Sequence, residues 1–132
     1  MFQLHPQLKA DTLIVTDLAL CRVLLMNNAL FPWLVLVPKL DEAREILDLT
    51  QGQRHLLMDE IAHICETMQD IFKPQKLNVA ALGNQVPQLH VHVIARFLAD
   101  AAWPNPVWGK GGEPYGDARP VLENLKRRLA GQ

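Results

Sequence analysis

Val86-Pro87-Gln88-Leu89-His90-Val91-His92-Val93-Ile94-Ala95-Arg96 is the stretch whose reading decides the fold. From Gln88 to Val93 polar and apolar residues alternate strictly. A period of two belongs to a β-strand, so Gln88, His90 and His92 share one face and Leu89, Val91 and Val93 the other. Before it, Gly83-Asn84-Gln85 reads as a turn and Leu77 to Leu82 as a second strand, adjacent and antiparallel to the first.

Further upstream the periodicity changes. Thr50-Gln51-Gly52-Gln53 has the Ser/Thr-x-x-Glu/Gln form of a capping box, and Leu56, Leu57, Ile61, Ile64, Met68, Ile71 and Phe72 follow at helical spacing. This predicts a long amphipathic helix that ends near Lys73-Pro74, its apolar residues facing the core. Asp41 to Leu49 reads as a short helix with Asp41 as N-cap. Trp33-Leu34-Val35-Leu36-Val37-Pro38 is an unbroken apolar run suited to a strand covered on both faces. Thr12 to Asp17 and Cys21 to Asn27 add two more strands, which makes an antiparallel meander.

Downstream, Trp103 to Pro114 holds too much proline and glycine for a regular element and reads as a loop. Arg119 to Ala130 returns to helical spacing, with Pro120 in its first turn and basic residues towards its end. The expected architecture is α+β: an antiparallel five-stranded meander sheet with one long helix and a C-terminal helix, in a single domain spanning residues 1–132.

A chain of 132 residues with 49% hydrophobic composition buries a core without disulfides or a structural metal. Thirteen basic against fourteen acidic residues give a formal charge of -1, which favours neither nucleic acid nor an anionic membrane surface. An anionic ligand must therefore be held locally. Cys21 and Cys65 sit among aliphatic residues outside any Cys-x-x-Cys pair and read as buried free thiols. The first residues lack a basic region followed by an apolar one, and no stretch reaches the roughly 20 apolar residues of a membrane span, so the expectation is a cytoplasmic protein.

Two imidazoles on one strand face are unusual in a plain core strand, because each needs a partner when buried and each titrates near neutrality. A metal site is the first alternative. A cupin-like His-x-His wants a glutamate about five residues later and a further downstream histidine. Position 97 is Phe and no histidine follows His92, so no metal is expected.

The block Gln88 to Ile94 resembles the signature of the histidine-triad family, His-φ-His-φ-His-φ-φ with φ apolar, in all but its first histidine. The resemblance extends to Leu24-Leu25-Met26-Asn27-Asn28 and to Pro32 through Pro38, and covers roughly Cys21 to Arg96. It implies a nucleotide hydrolase or nucleotidyl transferase that cleaves at the α-phosphate through a covalent nucleotidyl-histidine intermediate, on a nucleoside phosphoramidate or dinucleoside polyphosphate. By position the nucleophile is His90. His92 is implied as the partner at the α-phosphate and leaving group, a protonated ring there offsetting charge in the transition state. Gln88 stands where the family has its first histidine; its main-chain carbonyl is implied to orient His90, and its side chain hydrogen-bonds without relaying a proton.

Asn27 lies where the family holds the ribose, and Asn84 and Gln85 where it contacts phosphate; each also reads as an ordinary turn residue. Arg96 has two readings, a phosphate contact or a solvated strand end, and Asn78 reads as structural. Trp103 and Trp108 read as a wall over the base, as an interface cover, or as packing on the core. His5, His55 and His63 read as surface or capping residues. The resemblance implies a small-molecule nucleotide as partner, no cofactor, and a homodimer formed through the long helix and a sheet edge. The competing function is a nucleotide-binding module without catalysis, in which Gln88 marks a site that binds but does not turn over.

Overall fold

The computed structural model describes residues 1–131. Its elements in chain order are α1 (Pro6–Asp11), β1 (Thr12–Asp17), β2 (Cys21–Met26), β3 (Trp33–Pro38), a 3-10 turn (Ile46–Asp48), α2 (Gln51–Phe72), β4 (Lys76–Ala80), β5 (Val91–Arg96) and α3 (Arg119–Ala130). The five strands form one antiparallel sheet in the order β1-β2-β3-β5-β4. The α+β class, the five antiparallel strands and the two main helices are as expected.

The meander holds only through β1, β2 and β3. β5 then takes the place beside β3 and leaves β4 at the edge. Burial explains the choice: every residue of β5 is buried, whereas Lys76 and Val79 of β4 are exposed. With Val91, Val93, Ile94 and Ala95 to bury, β5 gains most from an interior position.

Both faces of the sheet are covered. On one, Val23, Leu25, Leu34, Leu36, Val91 and Val93 pack with Leu57, Ile64 and Met68 of α2 and Leu125 and Leu129 of α3. On the other, Leu24, Trp33, Val35, Val37 and Ile94 pack with Phe31, with Leu8 of α1, and with Ala102 and Val107 from the long loop after β5. This second layer was not legible in the periodicity, since α1 is six residues long and the loop has no repeat.

The capping box forms: Thr50 Oγ1 accepts from Gln53 N at 3.2 Å and Gln53 Oε1 accepts from Thr50 N at 2.8 Å. α2 ends at Lys73, whose left-handed backbone (φ 52°) precedes Pro74. Buried Glu60 fixes α2 to the β1–β2 turn by accepting from Leu20 N and Cys21 N, both at 2.8 Å.

Two local expectations are corrected. Asp41 to Leu49 contains only the 3-10 turn, because the Asp48 carboxylate accepts from Arg44 N and Glu45 N and closes a local turn in place of helical bonds. Asp41 caps nothing and pairs with the terminal amine of Met1. The second correction concerns Gln88 to His90, which precede β5: Leu89 N donates to Ala43 O at 2.9 Å, a loop carbonyl and not a strand partner. Both thiols are free; Cys21 is buried, but Cys65 only partly.

Candidate active site

β5 runs between β3 and β4, and its register places His92 opposite Val35 of β3 and Trp33 opposite Ile94. Trp33, Val35, His92 and Ile94 therefore share the face that the long loop covers. His90 lies just before the strand and keeps the same side, with its ring centroid 5.0 Å from that of His92. Both imidazoles are buried.

The protonation of each ring follows from its partner. His90 Nδ1 lies 2.6 Å from the main-chain carbonyl of Gln88. A carbonyl only accepts, so Nδ1 carries the hydrogen, and in the neutral ring Nε2 is left with the lone pair. His92 has the opposite arrangement. Trp33 Nε1 donates to His92 Nδ1 at 2.9 Å, and an indole only donates, so the hydrogen of His92 is on Nε2. Burial, and secondly the neighbouring His90, push the His92 pKa down to about 4.

The protonated ring expected at His92 is therefore corrected to a neutral imidazole that donates from Nε2. Its folded pKa lies below the ordinary 6.5, so the unfolded chain takes up the proton first and stability falls as pH drops from about 6.5 towards 4. An NMR titration of the His92 ring protons is expected to show no midpoint above pH 5; a midpoint near 6.5 would refute the neutral assignment.

The side chain of Gln88 does not join the two imidazoles. Its Oε1 accepts from His5 N at 2.8 Å and its Nε2 donates to Gln3 O at 2.9 Å, which ties the N-terminal arm beside the site. The three-residue face read from strict alternation fails here because the strand starts only at Val91. His5 accepts from Gln7 N at the start of α1, a capping role.

Asn27, Gln85, Trp33 and Trp108 line one cleft of about 680 Å³, together with Met26 and the glycines of the loop. Asn27 Oδ1 accepts from Tyr115 N at 2.9 Å, and Asn28 Oδ1 from Leu30 N at 3.0 Å. Gly112 passes so close to Asn28 that a Cβ there would lie 2.3 Å from its Nδ2, so the loop needs glycine at this crossing. Asn84 stands exposed in the turn and lines neither this cleft nor the one beside His90. That second cleft, of about 460 Å³, is bounded by His90, Gln88, Arg44, Arg54 and the turn Ala81 to Gly83.

Arg96 fits neither of its two readings. It is buried and pairs with Asp100 (Nε to Oδ2, 2.8 Å), donates to Asn78 Oδ1 at 2.8 Å and to Asn105 O at 2.8 Å, and so fixes the loop that follows β5. Asn78 is structural, as expected. Trp103 packs on the Arg96 guanidinium, while Trp108 meets the His92 ring edge-on at 5.1 Å. Sequence reasoning missed Trp33 as a site residue; its signal was only its parity with His92 once β3 and β5 are paired. Among the described residues no group of three or more His, Cys, Asp or Glu side chains is placed to hold a metal ion.

The family model for the HIT domain matches residues 7–98. Three solved structures are similar over nearly the whole length. A histidine triad protein from Marinobacter aquaeolei VT8 is 46% identical with a TM-score of 0.96, over 99% of this chain and 98% of that one. A histidine triad protein from Bradyrhizobium japonicum is 48% identical, with a TM-score of 0.91 over 97% and 98%. One from Sinorhizobium meliloti is 37% identical, with a TM-score of 0.93 over 97% of each. No curated protein matches the chain.

Proposed function

The chain belongs to the histidine-triad family, and from that premise we propose that it is a nucleotide hydrolase or nucleotidyl transferase whose nucleophile is His90. Proteins of this family generally bind nucleotides and act as hydrolases or transferases. The observation that carries the proposal is the short contact from His90 Nδ1 to the Gln88 carbonyl, which leaves Nε2 as a free lone pair beside a fixed donor, His92 Nε2–H.

In the first step Nε2 of His90 attacks the α-phosphorus, a P–N bond forms, and the bond to the leaving group breaks with its electron pair on the departing atom. The positive charge that grows on the ring is stabilised at Nδ1–H by the Gln88 carbonyl. His92 donates from Nε2 to an α-phosphate oxygen. In the second step water attacks phosphorus and gives up a proton to solvent, the P–N pair returns to Nε2, and the nucleoside monophosphate departs. Splitting the displacement in two lowers each barrier.

The cleft lined by Asn27 and Gln85 takes the nucleoside, with Trp33 and Trp108 as its wall. Asn27 reaches the ribose and Gln85, in the turn after β4, the phosphate oxygens. No cofactor enters these steps. No helix of the described residues is long and apolar enough to cross a membrane.

The proposed assembly is a homodimer through α2 and the β4 edge, which leave Met58 63% and Val79 48% exposed. Sedimentation equilibrium should give twice the chain mass; a mass of one chain would overturn the dimer. The test of the chemistry is mass spectrometry of acid-sensitive adduct on the wild type, quenched during turnover of a nucleotide substrate. An adduct mapped to His90 supports the hydrolase, whereas nucleotide binding with neither adduct nor turnover favours a binding module.

A further inference from the structure

We propose that the cleft beside His90 that carries Arg44 and Arg54 is a leaving-group subsite, and that it accepts a phosphate-bearing leaving group. The inference rests on His90 as nucleophile and goes on to name the class of group it displaces.

Two guanidiniums line this cleft against one carboxylate, Glu45, in a chain whose formal charge is -1. The Arg54 side chain is pre-set: Nη1 donates to Leu49 O at 2.7 Å, and its other nitrogens have no hydrogen-bond partner among the described residues. The Arg44 guanidinium has none among them either. Ile46, Leu47 and Leu82, all exposed, add an apolar rim. Cationic donors beside an apolar rim suit a phosphate attached to a larger body, and about 460 Å³ falls within the roughly 300–1,000 Å³ of small-molecule sites.

The proton inventory agrees. When the Pα–O bond to a phosphate breaks, the electron pair stays on the leaving oxygen as negative charge, and near neutral pH no proton is required. An amine leaving from a phosphoramidate does require one. His92 accepts at Nδ1 from Trp33 and holds a single hydrogen at Nε2, so in its neutral state it stabilises charge and supplies no acidic proton. Arg44 and Arg54 are the groups positioned to balance an anion that departs unprotonated.

The test compares diadenosine triphosphate, ADP and adenosine 5′-phosphoramidate, whose leaving groups are ADP, inorganic phosphate and ammonia. Arg44→Gln and Arg54→Gln should each lower kcat/KM on diadenosine triphosphate about tenfold, and together about a hundredfold, while the phosphoramidate rate changes less than about twofold. Arg54→Lys should recover part of the loss. Loss on ADP as well assigns the arginines to the phosphate next to the scissile bond; loss on the triphosphate alone assigns them to the distal one. Equal loss on the phosphoramidate, or none on the triphosphate, overturns the subsite while a His90 adduct still stands. Absence of adduct with all three substrates removes the nucleophile, and the subsite with it.

Discussion

His90→Ala should lower turnover by about four orders of magnitude and abolish the nucleotidyl adduct, because no other group offers a free lone pair at that point. His92 is 5.0 Å away between ring centroids, but its accepting nitrogen is taken by Trp33 and its other nitrogen carries a hydrogen, so it cannot substitute. The fold should survive: the substitution removes one side-chain hydrogen bond, worth about 1 kcal/mol, and leaves the strand ladder intact. Single-turnover hydrolysis with mass spectrometry reads the first effect and thermal melting the second. Gln88→Ala is the informative contrast. It deletes the ties to His5 and Gln3 but keeps the carbonyl that orients His90, so adduct formation should persist. Loss of adduct in that variant would mean that the glutamine side chain, and not its main chain, sets the nucleophile.

The largest effect on stability is expected away from the chemistry. Asp100 accepts from Arg96 Nε and Nη2 and from the backbone of Phe97, Ala102 and Trp103, at 2.8 to 3.1 Å. Asp100→Ala strands a guanidinium that is only 2% exposed, and removing one partner of such a pair costs about 3–5 kcal/mol. For a chain of this length that is a fall in Tm of roughly 10–20 °C. Replacing Arg96 and Asp100 together by apolar residues should cost less than either single change, since no charge is then left buried. The Arg96 guanidinium and the three backbone N–H groups hold the Asp100 carboxyl well below its ordinary 3.8. A depressed carboxyl pKa stabilises the fold at every pH above that ordinary value, and the contribution is lost as pH falls below it towards the folded pKa. Urea titrations at pH 7 and pH 3 should therefore differ less for Asp100→Ala than for the wild type.

The pair Arg96–Asp100 also marks where the sequence stops being legible. The alternation from Gln88 to Val93 identifies a strand and its two histidines, and the capping box at Thr50 and Gln53 gives the start of α2, because these signals are local. Arg96 was open between phosphate and solvent because its partners arrive from β4 and from a loop without periodicity. The same limit applies to Trp33: the donor that sets the His92 tautomer comes from a strand 59 residues away in sequence. The break of alternation at Gln88 had no local signal either, since a single loop hydrogen bond, Leu89 N to Ala43 O, decides it. Asp48 diverts the segment after β3 from helix to 3-10 turn by a choice that helix patterning does not weigh.

The chain has three tryptophans, and each stands at a functional or supporting position: Trp33 bonded to His92, Trp108 edge-on to the same ring, Trp103 against Arg96. Its tryptophan emission thus originates wholly from the candidate active site and the loop over it. A nucleotide entering beside Trp108, or a proton arriving on His92, alters the surroundings of the emitting indoles directly, so the unlabelled protein is its own optical probe of occupancy and ionisation.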